Sequence, residues 1–264
     1  MAFVYAISSQ KGGVAKTTTC LSLGAGLAEL DQRVLVVDLD SQADLTIATG
    51  LDTDRIDNTV VDLLIRYIRK QPHNKGFPIY QTAVNGLHVL PADVRLAGLE
   101  RKLYNIKGYE HLLSYILRQM EKPYNCIILD CPPSLGALTL MALSAADTVL
   151  IPAQCEFYAA RGLERLLDIA EMIRDKTNPG LTTRVLPVMF DQRNQISRII
   201  LQKMRAAFPE EMVESLIAVD TTLREAPVLG EPITEYASES RAAAQYRALA
   251  KELLELQAES RKGL

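Results

Sequence analysis

Cysteine is scarce and scattered: Cys20, Cys126, Cys131 and Cys155 stand far apart, with no CxxC pair. That pattern excludes a disulfide scaffold and offers no spacing for a zinc or iron–sulfur site. The four read as buried thiols of a reducing compartment. Excess positive charge is also missing. Lys and Arg total 29 against 32 Asp and Glu, a net charge of −3 with pI about 5.7. A wholly basic nucleic-acid coat and general attraction to anionic membranes are excluded, while a local basic patch is not. The start, MAFVYAISSQKGG, has a short apolar run and no charged leader, unlike a signal peptide. No run approaches the ~18 apolar residues of a membrane span. The longest, from Ala137, is broken by Asp147. There is no repeat, no low-complexity tract and no Pro/Gly/Ser linker. What remains is an ordinary soluble composition, 48% hydrophobic and 23% charged over 264 residues, enough for one sizeable core.

Short Val- and Ile-rich runs alternate with longer helical patterns. Phe3–Ser8, Arg33–Asp38, Asn125–Asp130, Thr148–Pro152 and Arg184–Phe190 read as buried strands, because they are nearly continuously apolar. Leu87–Leu90 is a weaker sixth strand and Val213–Val219 a candidate seventh. Thr17–Leu30, Val60–Arg69, Tyr109–Glu121, Arg161–Thr177 and Ile196–Phe208 place apolar residues at helical spacing, and Glu239–Ala258 reads as a final helix. The alternation predicts an α/β fold: a doubly wound, mostly parallel sheet with helices on both faces. The polar stretch Gln71–Pro78 reads as a surface loop within one domain, residues 1–264.

The sharpest feature is the run SQKGGVAKTT, Ser9–Thr18, between the first strand and the first helix. Such a junction presents backbone N–H groups and the positive end of a helix to an anion. Lys11, Gly12, Gly13, Val14, Ala15, Lys16, Thr17 and Thr18 form the candidate nucleotide-binding loop. The glycines admit phosphate oxygens close to the backbone, Lys16 is placed to reach the β- and γ-phosphates, and the Thr17 hydroxyl can bind Mg²⁺. The ordinary pattern GxxxxGK[ST] is not met, because its glycines fall at Gln10 and Ala15. An alanine at 15 suits a backbone away from positive φ. Gly24-Ala25-Gly26, inside the first helix, reads as helix packing. Two acidic strand ends complete the site, since ligands in parallel sheets lie beyond the carboxyl ends of strands. RVLVVDLD ends in Asp38 and Asp40, and NCIILD ends in Asp130 before a diproline turn. Asp130 reads as a Mg²⁺ ligand, direct or through water, with Asp38 hydrogen-bonded in the same shell. Asp40 is placed to orient the attacking water.

The arrangement KGGxxKT resembles the deviant Walker A motif of the ParA/MinD group of ATPases. The likeness extends through VDLDSQADLT, DCPPSLGALTLMAL, IPAQCEFYAARGLERL and LREAPVLGEPITEYASESRAAAQYRALAKEL, nearly the whole chain, and is similar to ParA/Soj-type partition ATPases. Where that family usually reads DPQGNAT, this chain has Asp40–Thr46 with Ser41 in place of proline, a change in turn stiffness more than in chemistry. The resemblance implies an ATPase using ATP and Mg²⁺, whose two ATP-bound subunits face each other. Lys11 then reaches the partner's phosphates, a cation supplied in trans to charge building up on the transferring phosphoryl group. Lys11, Lys16 and Asp40 are thus the implied catalytic residues. Glu156 faces the partner nucleotide, and adenine sits near Phe190-Asp191 and Ile217–Asp220. The dimer binds duplex DNA without sequence preference and is released after hydrolysis stimulated by a ParB-type adaptor. The expected setting is cytoplasmic and nucleoid-associated. With the phosphate loop about ten residues in, the chain resembles the short members lacking a helix-turn-helix domain, so operator binding is not expected.

Residues Gln192–Pro209 hold Arg193, Arg198, Lys203 and Arg205 and no acid. On a helix Arg198, Gln202 and Arg205 share one face while Ile196, Ile199 and Ile200 point elsewhere, a local basic stripe suited to phosphates. By resemblance Arg193 matches a DNA-contacting arginine. A second such arginine aligns with Thr222, where Arg224 can substitute, and Arg241, with Arg247 and Lys251, extends the patch. A membrane-associated MinD-like positioning ATPase is the alternative. It needs a basic amphipathic tail, and Lys251–Leu264 carries three glutamates and no aromatic residue, a poor anchor.

Overall fold

A computed structural model describes residues 2–71, 76–120, 123–156 and 159–262. Strand β1 (Phe3–Ile7) leads into α1 (Lys16–Glu29), and β2 (Val34–Asp38) into α2 (Asp44–Ala48). Next come α3 (Val60–Ile68), β3 (Tyr80–Gln81), β4 (Leu87–Leu90), α4 (Arg95–Leu103) and α5 (Leu112–Arg118). The second half runs β5 (Cys126–Asp130), α6 (Ala137–Ala145), β6 (Thr148–Gln154), α7 (Ala159–Lys176), β7 (Thr182–Val188) and α8 (Gln195–Ala207). Short helices α9 (Thr222–Glu225) and α10 (Ile233–Tyr236) precede α11 (Arg241–Lys262).

The seven strands form one sheet in the order β3-β4-β2-β5-β1-β6-β7, parallel throughout except for the antiparallel edge strand β3. This is the expected doubly wound α/β fold. Every residue of β1, β2, β5 and β6 is buried, which is why these strands read as unbroken apolar runs. One face of the sheet packs against α3 to α7. The other packs against α1 and α11. Gly26 lets α1 and α11 approach closely: a Cβ there would meet Ala250 Cβ and the Tyr246 carbonyl oxygen at 3.3 Å. Gly24 packs on Leu87 and Val36, so this glycine pair serves packing. Tyr246, fully buried, shares a 3.1 Å hydrogen bond with the Thr19 hydroxyl, and Tyr5 donates to the Leu253 carbonyl oxygen on the same helix.

Several expectations need correction. Val213–Val219 is not a strand. It makes isolated contacts in which Val213 donates to the Val185 carbonyl and Ile217 to that of Pro187. Between these, the Glu214 and Ser215 N–H groups go to the Glu252 carboxylate of α11, and just beyond them the Ala218 N–H goes to Gln245 of the same helix. A ladder cannot form where its donors are already committed. Tyr109–His111 is a 3₁₀ turn ahead of a shorter α5. Helices α4 and α6 and the edge strand β3 were not anticipated. On α8 the buried face is Ser197, Leu201 and Met204, while Ile196 and Ile199 are exposed beside the arginines. The expected loop partly lies outside the described residues, as do Phe157 and Tyr158.

Candidate nucleotide-binding site

Parallel register builds the site. Asp130 on β5 stands level with Ile7 on β1 and with Asp38 on β2, so the phosphate loop and both aspartates open on one edge of the sheet. The loop enters α1 through Gly13 at φ 72° and Ala15 at φ 58°. Ala15 therefore occupies the left-handed region, against the expectation for alanine, and carries strain of about 1–2 kcal/mol there. No side chain caps α1, so the first N–H groups of that helix are left for a ligand. A Cβ on Gly12 or Gly13 would meet nothing within 4 Å, so the loop is open above the backbone. Lys16 lies buried at the helix start.

Beneath the loop, the Thr17 hydroxyl donates to Asp130 Oδ2 at 2.7 Å. Asp130 Oδ1 is buried and accepts no N–H or O–H hydrogen bond, and the Cys20 thiol beside the carboxylate is a weak donor to its charged form. Burial pushes the Asp130 carboxyl up to about 7, with the Asp38 charge adding to the rise and Thr17 working against it. Asp38 is pushed to about 6 by burial, although Thr46 holds the charged form through its N–H at 2.9 Å and its hydroxyl at 2.7 Å. The other Asp38 oxygen accepts from the Asp40 N–H at 3.0 Å. Both Asp38 oxygens are thus engaged by the protein. Asp130 Oδ1 and the Thr17 hydroxyl are the open donors, a hard oxygen set that fits Mg²⁺. The four cysteines are buried, and burial drives the thiols of Cys20 and Cys131 well above their usual range.

Asp40, Gln42 and the loop line one wall of a cleft of about 950 Å³. The cleft is also lined by Asp191 and Ile217–Asp220, where adenine is expected, but not by Phe190 of that expectation; Met189, Leu223, Arg224 and Pro227, which the sequence does not mark for that role, line it too. Lys11 stands at the rim. Its ammonium donates to Gln154 Oε1 and to Glu156 Oε2, the latter at 2.7 Å. Gln154 in turn donates to the Gly13 carbonyl at 3.4 Å and lies 2.8 Å from the Met189 sulfur. Gln154 and Thr46 lie in segments that carry the family likeness, but the sequence assigns neither a role, because an uncharged side chain does not show which partner it holds.

The basic residues are exposed but partly committed. Arg193 pairs with Asp191 at 3.1 Å, and Arg198 donates to the Gln192 carbonyl. Arg205 reaches the Glu214 carbonyl at 3.5 Å and Arg241 that of Val219 at 2.8 Å, on the cleft wall. Lys203 and Arg224 are exposed, and Arg224 lines the cleft. Arg247 forks onto Glu29 at 2.6 and 2.9 Å, which binds α11 to α1 and takes it out of any patch. Among the described residues no helix is long and apolar enough to cross a membrane.

Residues 2–183 match the family model described as an AAA domain. The chromosome partitioning protein ParA of Myxococcus xanthus is 39% identical over 254 residues, 95% of this chain and 87% of that one. The sporulation initiation inhibitor protein Soj of Bacillus subtilis is 38% identical over 96% of this chain and 98% of its own. Among solved structures, cobyrinic acid a,c-diamide synthase from Mycobacterium smegmatis with bound ADP and magnesium is 36% identical with a TM-score of 0.78, covering 96% of this chain and 94% of that one. A putative plasmid partition protein of Borrelia burgdorferi bound to AMPPNP, 21% identical with a TM-score of 0.79 over 97% and 99% of the two chains, shares the fold. With a phosphate loop over two buried strand-end aspartates and full-length relatives of this kind, the chain belongs to the ParA/Soj family of partition ATPases.

Proposed function

We propose that this chain hydrolyses ATP with Mg²⁺, pairs around ATP as a sandwich dimer, and in that state binds duplex DNA without sequence preference. Hydrolysis, stimulated by a ParB-type adaptor, returns it to a monomer that leaves DNA. The whole chain acts as one ATPase unit, in the cytoplasm over the nucleoid. The observation that carries this reading is the Thr17–Asp130 hydrogen bond at 2.7 Å, which ties the first turn of α1 to the end of β5 beside a carboxylate oxygen that accepts no N–H or O–H hydrogen bond.

Each residue then has a role. The N–H groups from Gly12 to Thr18 and the Lys16 ammonium hold the β- and γ-phosphates. Thr17 and Asp130 hold Mg²⁺, and Asp38 keeps Asp40 in place through the Asp40 N–H. When bound, the metal neutralises charge on the phosphate oxygens. Asp40 orients the attacking water. The partner subunit's Lys11 meets charge that develops on the transferring group, so hydrolysis depends on pairing. Arg193, Arg198, Lys203 and Arg205 contact DNA phosphates, joined by Arg224 and Arg241. A dimer doubles the patch, which makes binding both ATP-dependent and steep in salt.

DNA binding compared with ATP, ADP and no nucleotide tests the reading. Retention on DNA with ATP alone is expected, and equal binding in all three states rejects it. Lys11→Ala should still bind nucleotide yet stay monomeric by light scattering; a normal dimer from that variant rules out the trans lysine.

A further inference from the structure

Gln154 ends β6 with its side chain turned into the phosphate loop, and its residue is only 8% exposed. Its amide is used at both ends. The nitrogen donates to the Gly13 carbonyl at 3.4 Å and faces the Met189 sulfur, which leaves the oxygen to accept from Lys11. A lysine ammonium has only donors, so the amide has one sensible orientation. Two residues on, Glu156 takes the same ammonium at 2.7 Å. Lys11, the cation that the dimer reading needs in trans, is therefore held in cis by two acceptors from the end of one strand.

We propose that Gln154 is a positioning residue for Lys11. With Glu156 it parks the lysine on its own subunit until a partner's triphosphate competes for it, and so sets the protein concentration at which ATP drives pairing. The two holders differ in physics. The Lys11–Glu156 pair is exposed on both sides, 56% and 63%, so it is weak and screened by salt. The bond to Gln154 is a charge-assisted contact to a nearly buried amide whose other end is pinned, so it resists salt and fixes direction. The weak member makes release inexpensive. The stiff member makes the parked position definite. Departure of Lys11 also frees the Gln154 oxygen and leaves Glu156 uncompensated at the rim, so release of the lysine and rearrangement of the loop edge are one event.

The inference rests on the sandwich-dimer reading, and two readouts separate their failures. The first is the rate at which a small acylating reagent labels Lys11 in the nucleotide-free protein, followed by mass spectrometry of the Lys11 peptide. The second is the dimer dissociation constant from sedimentation velocity with Mg²⁺ and a non-hydrolysable ATP analogue. Gln154→Met, of similar volume, should raise Lys11 labelling several-fold and tighten the dimer several-fold, at low salt and at about 0.5 M salt alike. Glu156→Gln, an exposed change that folding tolerates, should raise Lys11 labelling at low salt only; because Glu156 also lines the nucleotide cleft, the dimer constant is read on Gln154→Met alone. Unchanged labelling in both variants overturns the parked lysine. For Gln154→Met, raised labelling with an unchanged or weaker dimer overturns its role in timing. Raised labelling with a wild-type protein that never pairs upholds the cis contact and rejects the dimer reading instead.

Discussion

Asp38 and Asp130 end neighbouring parallel strands at the same level, and both carboxyls are buried within each other's field. Folding raises both, to about 6 and about 7, above the range of an unfolded chain. The sign follows directly. The native protein binds more protons than the unfolded one between roughly pH 4 and 7, so stabilisation is complete below the unfolded values and lost as pH rises through 6 and 7. Nucleotide-free protein should therefore be less stable, and melt at lower temperature, at pH 8 than at pH 5.5. Asp130→Asn should flatten that dependence and abolish any added stabilisation by Mg²⁺ with nucleotide. Thermal melts across pH check both, and a wild-type profile rising from pH 5.5 to 8 refutes the account.

Ala15 holds a left-handed backbone, φ 58° and ψ 32°, at the start of α1. Ala15→Gly should remove the Cβ clash and, after the larger entropy loss of glycine, stabilise the protein by about 0.5–1 kcal/mol. That corresponds to a rise in Tm of roughly 1–3 °C for a chain of this size. Ala15→Val should lower both Tm and nucleotide affinity. A lower Tm for the glycine variant counts against strain at this position.

Asp40 accepts from the Gln42 N–H at 3.0 Å and faces the cleft. Asp40→Ala should slow phosphate release about 100-fold, the scale of losing a general base or water-positioning group. The variant should accumulate as an ATP-bound dimer that stays on DNA. Full turnover would exclude Asp40 from the chemistry.

Arg193 and Arg198 are held only by exposed contacts, to Asp191 and to the Gln192 carbonyl, and such contacts are readily exchanged for phosphate. Arg193→Ala with Arg198→Ala should weaken DNA binding and flatten the slope of log affinity against log salt by about one for each arginine lost. ATP-dependent pairing should persist. Gel shifts over a salt series, alongside light scattering, separate the two effects, and an unaltered slope moves the DNA surface elsewhere.

Much of this molecule could be read before its coordinates. The central strands announced themselves because a strand buried on both faces has no polar alternation to obscure it, and Leu87–Leu90 matches β4 at both ends. The aspartates are legible because a phosphate loop stands upstream: a lone Asp after a strand is more often a turn or helix cap, but beside such a loop it lies at the ligand edge of the sheet. Helix α6, ALTLMALSA, was hidden by being apolar all round, so it showed no amphipathic period. Helix α4 begins at Arg95, and the residue at its N-cap, Val94, gives no capping signal. Val213–Val219 has strand-like composition, yet Glu252 and Gln245 of α11, distant in sequence, satisfy its backbone. Left-handed Ala15 and the grip of Gln154 on Lys11 are backbone and partner geometry, which residue type alone does not encode.

The packing of α11 on α1 has a consequence for biosynthesis. Gly26 against Ala250, Thr19 against Tyr246 and Glu29 against Arg247 all join segments more than two hundred residues apart. While a ribosome is still making the middle of the chain, the helix bearing the phosphate loop has one greasy flank bare. Nascent protein should therefore stay sticky and incompetent for nucleotide until α11 emerges, and trimming α11 should send the product to chaperones rather than merely slow it.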